Sequence, residues 1–355
     1  MGLVLALAAV LWGLGALTGT PRRLRLGMIA GLWGAVVLGH LVLREGHPVR
    51  LAMGGSAALW LLLGGAAVAV LAYRAGLERL RRRAGARAVD PEKKPLFSEA
   101  ELGRYARHIV LREIGGPGQK ALKQARVLVI GAGGLGSPVL LYLAAAGVGT
   151  IGVIDDDEVD NSNLQRQVIH RDTDIGLPKV QSAQRAMLAQ NPNITVRPYA
   201  RRLAPEIAAD LFADYDLILD GTDNFATRYL VNATATALGK PLISGALAQW
   251  EGQLSVFDPA RGAPCYQCVF PQAPAPGLVP SCAEAGVLGP LPGVVGAMMA
   301  VEAIKVITGA GRALRGEMLI YDALYGESRK IMLSARPDCP VCGAKGERDD
   351  QPVAG

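Results

Sequence analysis

Aromatic side chains are scarce in this chain of 355 residues, because Phe, Trp and Tyr make up only 5% of it. Proteins that bind single-stranded nucleic acid stack bases on aromatic side chains. The composition therefore argues against nucleic acid as a partner, although the net charge is +6 and the sequence pI is about 9.1. The basic excess has a local source, since arginines crowd residues 74–87 directly after an apolar segment. Such a flank is typical of a membrane protein.

Cysteine is also scarce, and an odd count of five does not suit a disulfide framework. Four cysteines form two C-x-x-C pairs, and Cys282 is left over. A redox-active pair would begin a helix in a thioredoxin-like unit, but Pro264 precedes the first pair and Pro340 lies inside the second. Two such pairs instead predict a closed structural Zn²⁺ site in a reducing compartment. Its four thiolate ligands are Cys265, Cys268, Cys339 and Cys342.

Aspartate, glutamate, lysine and arginine are absent from three apolar segments near the N-terminus. These segments account for a mean hydropathy of +0.26, which is high for a soluble protein. A transmembrane helix needs about 20 apolar residues. Leu26–Leu43 and Leu51–Tyr73 qualify, whereas Gly2–Leu17 is marginal and a cleaved signal peptide is its alternative. We therefore predict a three-helix transmembrane region over residues 1–75.

Basic residues flank these segments unevenly. Arg22, Arg23 and Arg25 lie between the first two segments, and a larger group of arginines follows the third. The positive-inside rule then places the N-terminus outside and the large domain in the cytoplasm. We expect a multi-pass protein of the inner, cytoplasmic membrane. A charged linker over residues 76–97 would lead to the main domain over 98–343, and 344–355 would form a disordered tail.

The main domain is organised around residues 125–167. Val127–Ile130 reads as a strand buried on both faces, Leu135–Ala146 as a buried helix, and Thr150–Ile154 as a second strand that ends on Asp155. The turn after the first strand is rich in glycine, so backbone N–H groups can approach a phosphate at the helix N-terminus. Asp155 follows at the distance from which an acidic group reaches a ribose hydroxyl. The four glycines are Gly131, Gly133, Gly134 and Gly136.

The residues beyond Asp155 distinguish this unit from that of a dehydrogenase. Asp157, Asn161, Asn163, Gln165 and Arg166 follow within a dozen positions. This block resembles the MoeB/ThiF/HesA branch of the ubiquitin-activating enzymes. The resemblance runs from about residue 102 to residue 342.

The resemblance implies an α/β fold: a Rossmann-like, doubly wound, mostly parallel sheet with a C-terminal mixed-strand extension and a zinc knuckle. It also implies an enzyme, an adenylyltransferase that uses ATP and Mg²⁺. Its substrate would be the C-terminal glycine of a ubiquitin-like sulfur-carrier protein. The molybdopterin-synthase small subunit is the expected carrier, for molybdenum cofactor biosynthesis, and the thiamine-pathway carrier is the alternative.

Individual site residues follow from the same resemblance. Arg107, in a helix that Ser98–Glu101 opens as a capping box, would reach the ATP phosphates across a homodimer interface. Arg166 and Lys179 would bind phosphates within the chain. Asp223, after the strand Leu217–Leu219, would hold Mg²⁺. Asp157 and Asn163 would line the same pocket.

The sequence leaves two alternatives open, one for the aspartates after the strand Leu217–Leu219 and one for Cys282. Asp220 or Asp223 could instead cap the helix that begins at Phe225. Cys282 lies in a long segment rich in proline and glycine. In some relatives a cysteine here forms a thioester or acyl persulfide with the carrier, and in others it is dispensable.

Other functional classes explain less of the sequence. An NAD-dependent oxidoreductase would use the glycine turn but leave Arg166, Lys179, Asp223 and the paired cysteines without a role. A non-catalytic, membrane-tethered scaffold would not need a full set of ATP-binding residues. A tRNA-modifying dehydratase of related fold also adenylates its substrate, but relatives of that kind generally lack the four-cysteine site.

Overall fold

The computed structural model describes residues 2–54, 56–85, 95–274 and 285–343. They form two units, one within residues 1–94 and one within residues 95–355. Cys282 and the predicted tail over 344–355 lie outside the described residues, as does part of the predicted linker.

The N-terminal unit is entirely helical in its described part. Two of its helices are long and apolar enough to cross a membrane, by length and composition, and the first helix is shorter at 16 residues. The predicted segment Leu51–Tyr73 is divided, because the backbone turns at Gly54 with a φ of 109°. The helices are α1 (Gly2–Leu17), α2 (Arg22–Val42), α3 (Pro48–Met53) and α4 (Ala57–Gly85).

Tryptophan indoles join the helices of this unit. The Trp33 indole N–H donates to the Trp60 carbonyl at 2.8 Å, and the Trp60 indole N–H donates to the Met53 carbonyl at 3.2 Å. The Trp33 ring lies against Gly64, where a Cβ would approach it to 2.3 Å. Glycine at position 64 therefore allows α2 and α4 to pack this closely.

The C-terminal unit alternates strands and helices until its last third. The helices are α5 (Glu99–Ile109), α6 (Gly115–Gln124), α7 (Gly136–Ala146), α8 (Lys179–Gln190), α9 (Pro205–Ala213), α10 (Phe225–Ala237), α11 (Tyr266–Val269) and α12 (Leu291–Thr308). The strands are β1 (Arg126–Ile130), β2 (Thr150–Asp155), β3 (Thr195–Ala200), β4 (Leu217–Asp220), β5 (Leu242–Leu247), β6 (Glu251–Phe257), β7 (Glu317–Asp322) and β8 (Glu327–Met332).

These strands form one eight-stranded mixed sheet in the order β3-β2-β1-β4-β5-β6-β7-β8. The first five strands in this order are parallel, and β6, β7 and β8 extend the sheet in antiparallel fashion. The chain leaves β1 for β2 on one side and later returns to β4 on the other. A crevice therefore opens at the carboxyl ends of β1 and β4, where ligands bind in sheets of this kind. The predicted α/β sheet with a mixed-strand extension is confirmed.

Helices cover both faces of the parallel strands, as long apolar strands require. The helices α7, α8 and α12 pack on one face with side chains such as Leu143, Met187 and Val295, and α9 and α10 cover the other with Phe212 and Val231. Helix α12 is also apolar and long enough to cross a membrane. Its buried residues instead pack against α7 and the sheet.

The helix α5 begins as the sequence predicted. The Ser98 hydroxyl accepts the Glu101 backbone N–H at 3.3 Å, and the Glu101 carboxylate accepts the Ser98 backbone N–H at 2.9 Å. This reciprocal pair is the capping box. Glu101 is buried and also binds Lys123 of α6, so the cap fixes the contact of α5 with α6.

A glycine between α7 and β2 sets how closely the chain passes α6. A Cβ at Gly149 would lie 1.8 Å from the Lys123 carbonyl oxygen. Because backbone cannot yield as a flexible side chain can, we expect Gly149→Ala to destabilise the C-terminal unit by about 2 kcal/mol. Pulse proteolysis across a urea gradient measures this.

Gly103 in α5 provides the matched control, since a Cβ added there would meet no atom of the described residues within 4 Å. Gly103→Ala should leave stability unchanged or raise it by up to about 1 kcal/mol, because alanine favours a helix. Equal stability of Gly149→Ala and the unsubstituted protein would contradict the close approach.

Candidate active site

The glycine-rich turn forms the floor of the crevice. Gly131 directly follows β1 and has a φ of 93°, a conformation that favours glycine. A Cβ at Gly136, the first residue of α7, would lie 2.0 Å from the Gly131 carbonyl oxygen. Gly133 and Gly134 line the crevice, whereas Gly136 allows α7 to start directly against the turn. The first N–H groups of α7 therefore lie beside the crevice, where an anion can bind.

The carboxylate of Asp155 lies at the end of β2, next to this turn. One oxygen accepts the Ala132 backbone N–H at 2.7 Å, and the other accepts the Asp157 backbone N–H at 2.9 Å. Burial raises the pKa of Asp155, and the Ala132 N–H and the Lys179 ammonium oppose that rise. Each oxygen keeps a lone pair free for a hydroxyl donor in the crevice.

Lys179 begins α8 and lies almost entirely buried at the crevice wall, with 4% of its surface exposed. A cation at a helix N-terminus is opposed by the helix dipole. Asp157 compensates, since its carboxylate binds the Lys179 ammonium at 2.6 Å. The ammonium is thus held at the crevice before any phosphate arrives.

Arg166 lines the crevice beside the turn, since its Cγ lies 3.7 Å from the position that a Cβ at Gly134 would take. Its guanidinium donates to the Asn163 side-chain oxygen at 2.9 Å and to the Ser162 carbonyl at 3.2 Å. Asn163 is not among the residues that line the crevice, so its contact with the pocket is indirect. It orients the guanidinium that faces the crevice.

The segment after β4 carries the predicted magnesium ligand. Asp220 is buried and accepts the Thr222 N–H at 3.0 Å and the Thr222 hydroxyl at 2.7 Å. Asn224, not an aspartate, caps α10, because its side chain accepts the Thr227 N–H at 2.8 Å. Both aspartates are therefore free of the capping role considered above. Asp223 is exposed and lines the crevice.

Arg228, the fourth residue of α10, is a buried arginine that was not predicted from the sequence. Its guanidinium donates to the Thr222 carbonyl, to the Gly245 carbonyl at 2.7 Å and to the Ser244 hydroxyl at 3.1 Å. Asp220 lies 3.9 Å away and balances the charge. Arg228 therefore joins the carboxyl ends of β4 and β5 and fixes the backbone next to Asp223.

Together these residues border one crevice with a volume of about 1210 Å³. It holds carboxylates at Asp155 and Asp223 and cations at Arg166 and Lys179. A glycine turn, a carboxylate that can bind ribose hydroxyls and two cations fit a nucleoside triphosphate. An exposed carboxylate beside them fits Mg²⁺. The crevice continues over β6, β7 and β8, where Gln253, Ile320 and Arg329 lie in register across the sheet.

Besides Asn163 and Gly136, two further predicted site residues, Arg107 and Cys282, are not placed at this crevice within the described chain. Arg107 is exposed on α5 and does not line the crevice. Cys282 lies outside the described residues. Their roles stay predictions.

Four cysteines meet beside α11, with all four sulfur atoms within 4.8 Å of one another. The Sγ–Sγ distances are 3.8 Å for Cys265 and Cys268, 3.5 Å for Cys265 and Cys339, and 3.3 Å for Cys268 and Cys342. A tetrahedral site with Zn–S bonds of about 2.3 Å needs sulfurs about 3.8 Å apart. The cluster therefore fits a structural Zn²⁺ ion.

The thiols of this cluster differ in how readily they ionise. Burial raises the pKa of Cys265. Burial also opposes ionisation of Cys339, but hydrogen bonds from the backbone of Cys342 and Val341, together with those from the thiols of Cys265 and Cys268, lower its pKa to about 6. At least one thiolate is thus available to a metal at neutral pH.

Zinc content tests the cluster directly. We expect about one Zn²⁺ per purified chain, and we expect Cys339→Ser to lose it because one of four thiolates is removed. Cys282→Ser is the matched control and should retain the metal. Zinc retained by Cys339→Ser, or lost from Cys282→Ser, in elemental analysis would refute this ligand set.

Comparison with known proteins identifies the family to which this chain belongs. Residues 105–341, well over half of the chain, match the model of the ThiF family. The chain is 51% identical over 251 residues to the sulfur carrier protein adenylyltransferase of Thermus thermophilus, which covers 70% of this chain and 93% of that protein. It is 47% identical to the SAMP-activating enzyme E1 of Haloferax volcanii, with 69% of this chain and 90% of that protein covered.

A longer relative and a solved structure agree. The chain is 56% identical to the probable adenylyltransferase/sulfurtransferase MoeZ of Mycobacterium tuberculosis, over 69% of this chain but only 63% of that protein. The crystal structure of E. coli MccB with MccA-N7isoASN has a TM-score of 0.60 at 25% identity, covering 68% of this chain and 74% of MccB. The chain belongs to the ThiF family and is an adenylyltransferase.

Proposed function

We propose that this enzyme adenylates the C-terminal glycine of a ubiquitin-like sulfur-carrier protein with ATP. The carrier carboxylate attacks the α-phosphorus of ATP, the bond to the β-phosphate oxygen breaks, and carrier-adenylate and pyrophosphate form. A relative whose name states sulfur carrier protein adenylyltransferase supports this substrate class, since it shares 51% of its residues with this chain over 251 positions.

One observation carries the proposal: Arg166, Lys179, Asp223 and Asp155 lie around the same crevice at the carboxyl ends of β1, β2 and β4. An oxidoreductase needs no cations at this position. The same set is more than a non-catalytic scaffold would require.

Catalysis in this crevice rests on position and charge. The glycine turn brings backbone N–H groups to the phosphates, and Arg166 and Lys179 neutralise the charge that grows on pyrophosphate. Asp155 holds the ribose hydroxyls. No general base is needed, because the carrier carboxylate is already ionised at neutral pH. Asp223 would hold Mg²⁺, which neutralises phosphate charge and orients the oxygens when bound.

The carrier enters from the other end of the crevice in this proposal. The extension of the crevice over β6 and β7 offers a path for an extended C-terminal tail that ends beside the α-phosphate. We propose the molybdopterin-synthase small subunit as the carrier, and the thiamine-pathway carrier is the alternative.

A homodimer completes the proposed site. Arg107 is exposed on α5 and available to a second copy, and we propose that it reaches the phosphates of that copy. The N-terminal unit is proposed to anchor the enzyme in the cytoplasmic membrane through three spans, α1, α2 and α4, of which α2 and α4 have the length and composition that a span needs. The C-terminal unit would then face the cytoplasm, as the arginines after the third apolar segment predict.

ATP–pyrophosphate exchange tests the reaction. Asp223→Ala should reduce exchange by at least about a hundredfold, because phosphate charge would no longer be neutralised through a metal. Asp210→Ala is the matched control, since Asp210 is an exposed carboxylate on α9 outside the crevice. Full exchange in Asp223→Ala would refute its role.

The choice of carrier has its own outcomes in this assay. Exchange that requires the molybdopterin carrier fixes that pathway, and exchange only with the thiamine carrier moves the enzyme to the alternative. No exchange with either carrier, in folded and zinc-loaded protein, would contradict the proposed substrate class.

Protease protection tests the proposed topology. In sealed inside-out vesicles of the inner membrane, external protease should remove the C-terminal unit, because the cytoplasmic face is exposed there. In intact spheroplasts the same unit should be protected. Cleavage of the C-terminal unit in spheroplasts would place it outside and overturn the orientation.

A further inference from the structure

The peptide of Ala132, in the middle of the glycine-rich turn, is held on both sides. Its N–H donates to the Asp155 carboxylate at 2.7 Å, and its carbonyl oxygen accepts from Nε2 of His170 at 2.9 Å. Ala132 and His170 are both buried. Because the neighbours of Ala132 are Gly131 and Gly133, which offer little steric restraint, these two hydrogen bonds set the orientation of the turn.

His170 is held in its turn by a short polar chain. Its Nδ1 lies 2.9 Å from the Ser182 hydroxyl, and this hydroxyl lies 2.6 Å from one carboxylate oxygen of Asp174. The other oxygen of Asp174 accepts from Arg185 at 3.1 Å. Ser182 is 1% exposed and Asp174 is 7% exposed. None of these residues had a role in the proposed reaction above.

The number of hydrogen atoms available to this hydrogen-bonded chain of side chains limits which contacts can form together. Each of the three contacts, from Ala132 to His170, to Ser182 and to Asp174, needs one hydrogen. A carbonyl oxygen only accepts, so Nε2 of His170 must carry hydrogen. A neutral imidazole and one hydroxyl supply two hydrogens in all. All three contacts are satisfied together only when the chain holds one further, titratable proton.

We propose that His170 is a positioning residue for the nucleotide-binding turn, and that one proton shared along His170, Ser182 and Asp174 couples ATP binding to pH. This inference rests on the nucleotide site proposed above and adds regulation of ATP affinity by pH. With the proton bound, all three hydrogen bonds form and the Ala132 carbonyl is fixed. When the proton leaves, Ser182 loses its hydrogen bond to either His170 or Asp174. The imidazole that holds the Ala132 carbonyl is then less restrained, and the turn becomes more mobile.

Several charged groups face His170 and shape this titration. Burial lowers the pKa of His170, and the Ala132 carbonyl and the carboxylates of Asp155 and Asp174 oppose this, while the Lys179 ammonium adds to it. Because the pKa of His170 lies below the usual imidazole range, proton loss is expected as pH rises on the acidic side of neutrality. ATP affinity should fall over the same range.

Asp174→Asn separates the proton from the geometry. The Asn amide can donate to Ser182 without an ionisable proton, and its oxygen can still accept from Arg185. We expect the wild-type protein and Asp174→Asn to bind ATP equally at pH 5.5, and Asp174→Asn to bind about fivefold tighter at pH 8, the size of one hydrogen bond. The ATP phosphate also titrates here and affects both proteins alike, so the ratio of their affinities is the readout.

The experiment is calorimetric ATP binding by the full-length, zinc-loaded protein in detergent, without carrier, from pH 5.5 to 8. His170→Ala and Ser182→Ala should bind ATP about fivefold more weakly than wild type at pH 5.5, since either change breaks the chain. His170→Gln should recover part of the affinity, because its amide can donate to the Ala132 carbonyl. In exchange assays the KM for ATP should change more than kcat.

Two results would overturn the inference. If the ratio of ATP affinities between Asp174→Asn and wild type stays constant from pH 5.5 to 8, the shared proton is contradicted. If His170→Ala binds ATP as tightly as wild type, the positioning role of His170 is contradicted. In both cases wild-type ATP binding would leave the nucleotide site intact. Wild-type protein that binds no ATP would instead overturn the proposed function, and this inference with it.

Discussion

The close approach of α7 to the end of β1 is the constraint on which the rest of the site depends. A Cβ at Gly136 would lie 2.0 Å from the Gly131 carbonyl oxygen, so only glycine lets the helix start this near the strand. The approach places the N-terminus of α7, with its partial positive charge, at the switch point of the sheet. Asp155 at the end of β2 and Asp223 after β4 then face the same space, because parallel strands end at one edge.

The cations around this space are held in place by the protein itself. Lys179 is paired with Asp157, Arg166 is oriented by Asn163, and the backbone beside Asp223 is fixed by Arg228. Ordering a long cationic side chain at the moment of binding costs entropy. Here the side chains are already ordered in the folded protein, so a bound phosphate only replaces the partners that the cations have in the free protein. A site arranged in this way is suited to charge stabilisation rather than to proton transfer.

Local patterns in the sequence predicted the strands, the glycine turn and the capping box, because each depends on neighbours within a few residues. Arg228 was missed because its partners, Ser244 and Gly245, lie 16 and 17 positions away and carry no local signature. The bond from His170 to Ala132 spans 38 positions and was missed for the same reason. Asn224 rather than Asp220 caps α10, since the fold turns the Asp220 side chain toward Thr222.

The cysteine cluster links this site to the end of the chain. Cys265 and Cys339 are separated by 74 positions, and the segment between them supplies α12, β7 and β8. Tyr266, between the two cysteines of the first pair, lines the crevice and packs edge-on against Phe257. A metal that binds all four thiolates would therefore fix Tyr266 as well as the segment that carries Cys339 and Cys342. A structural ion at this cluster would therefore shape one wall of the crevice through Tyr266 without lining the crevice itself.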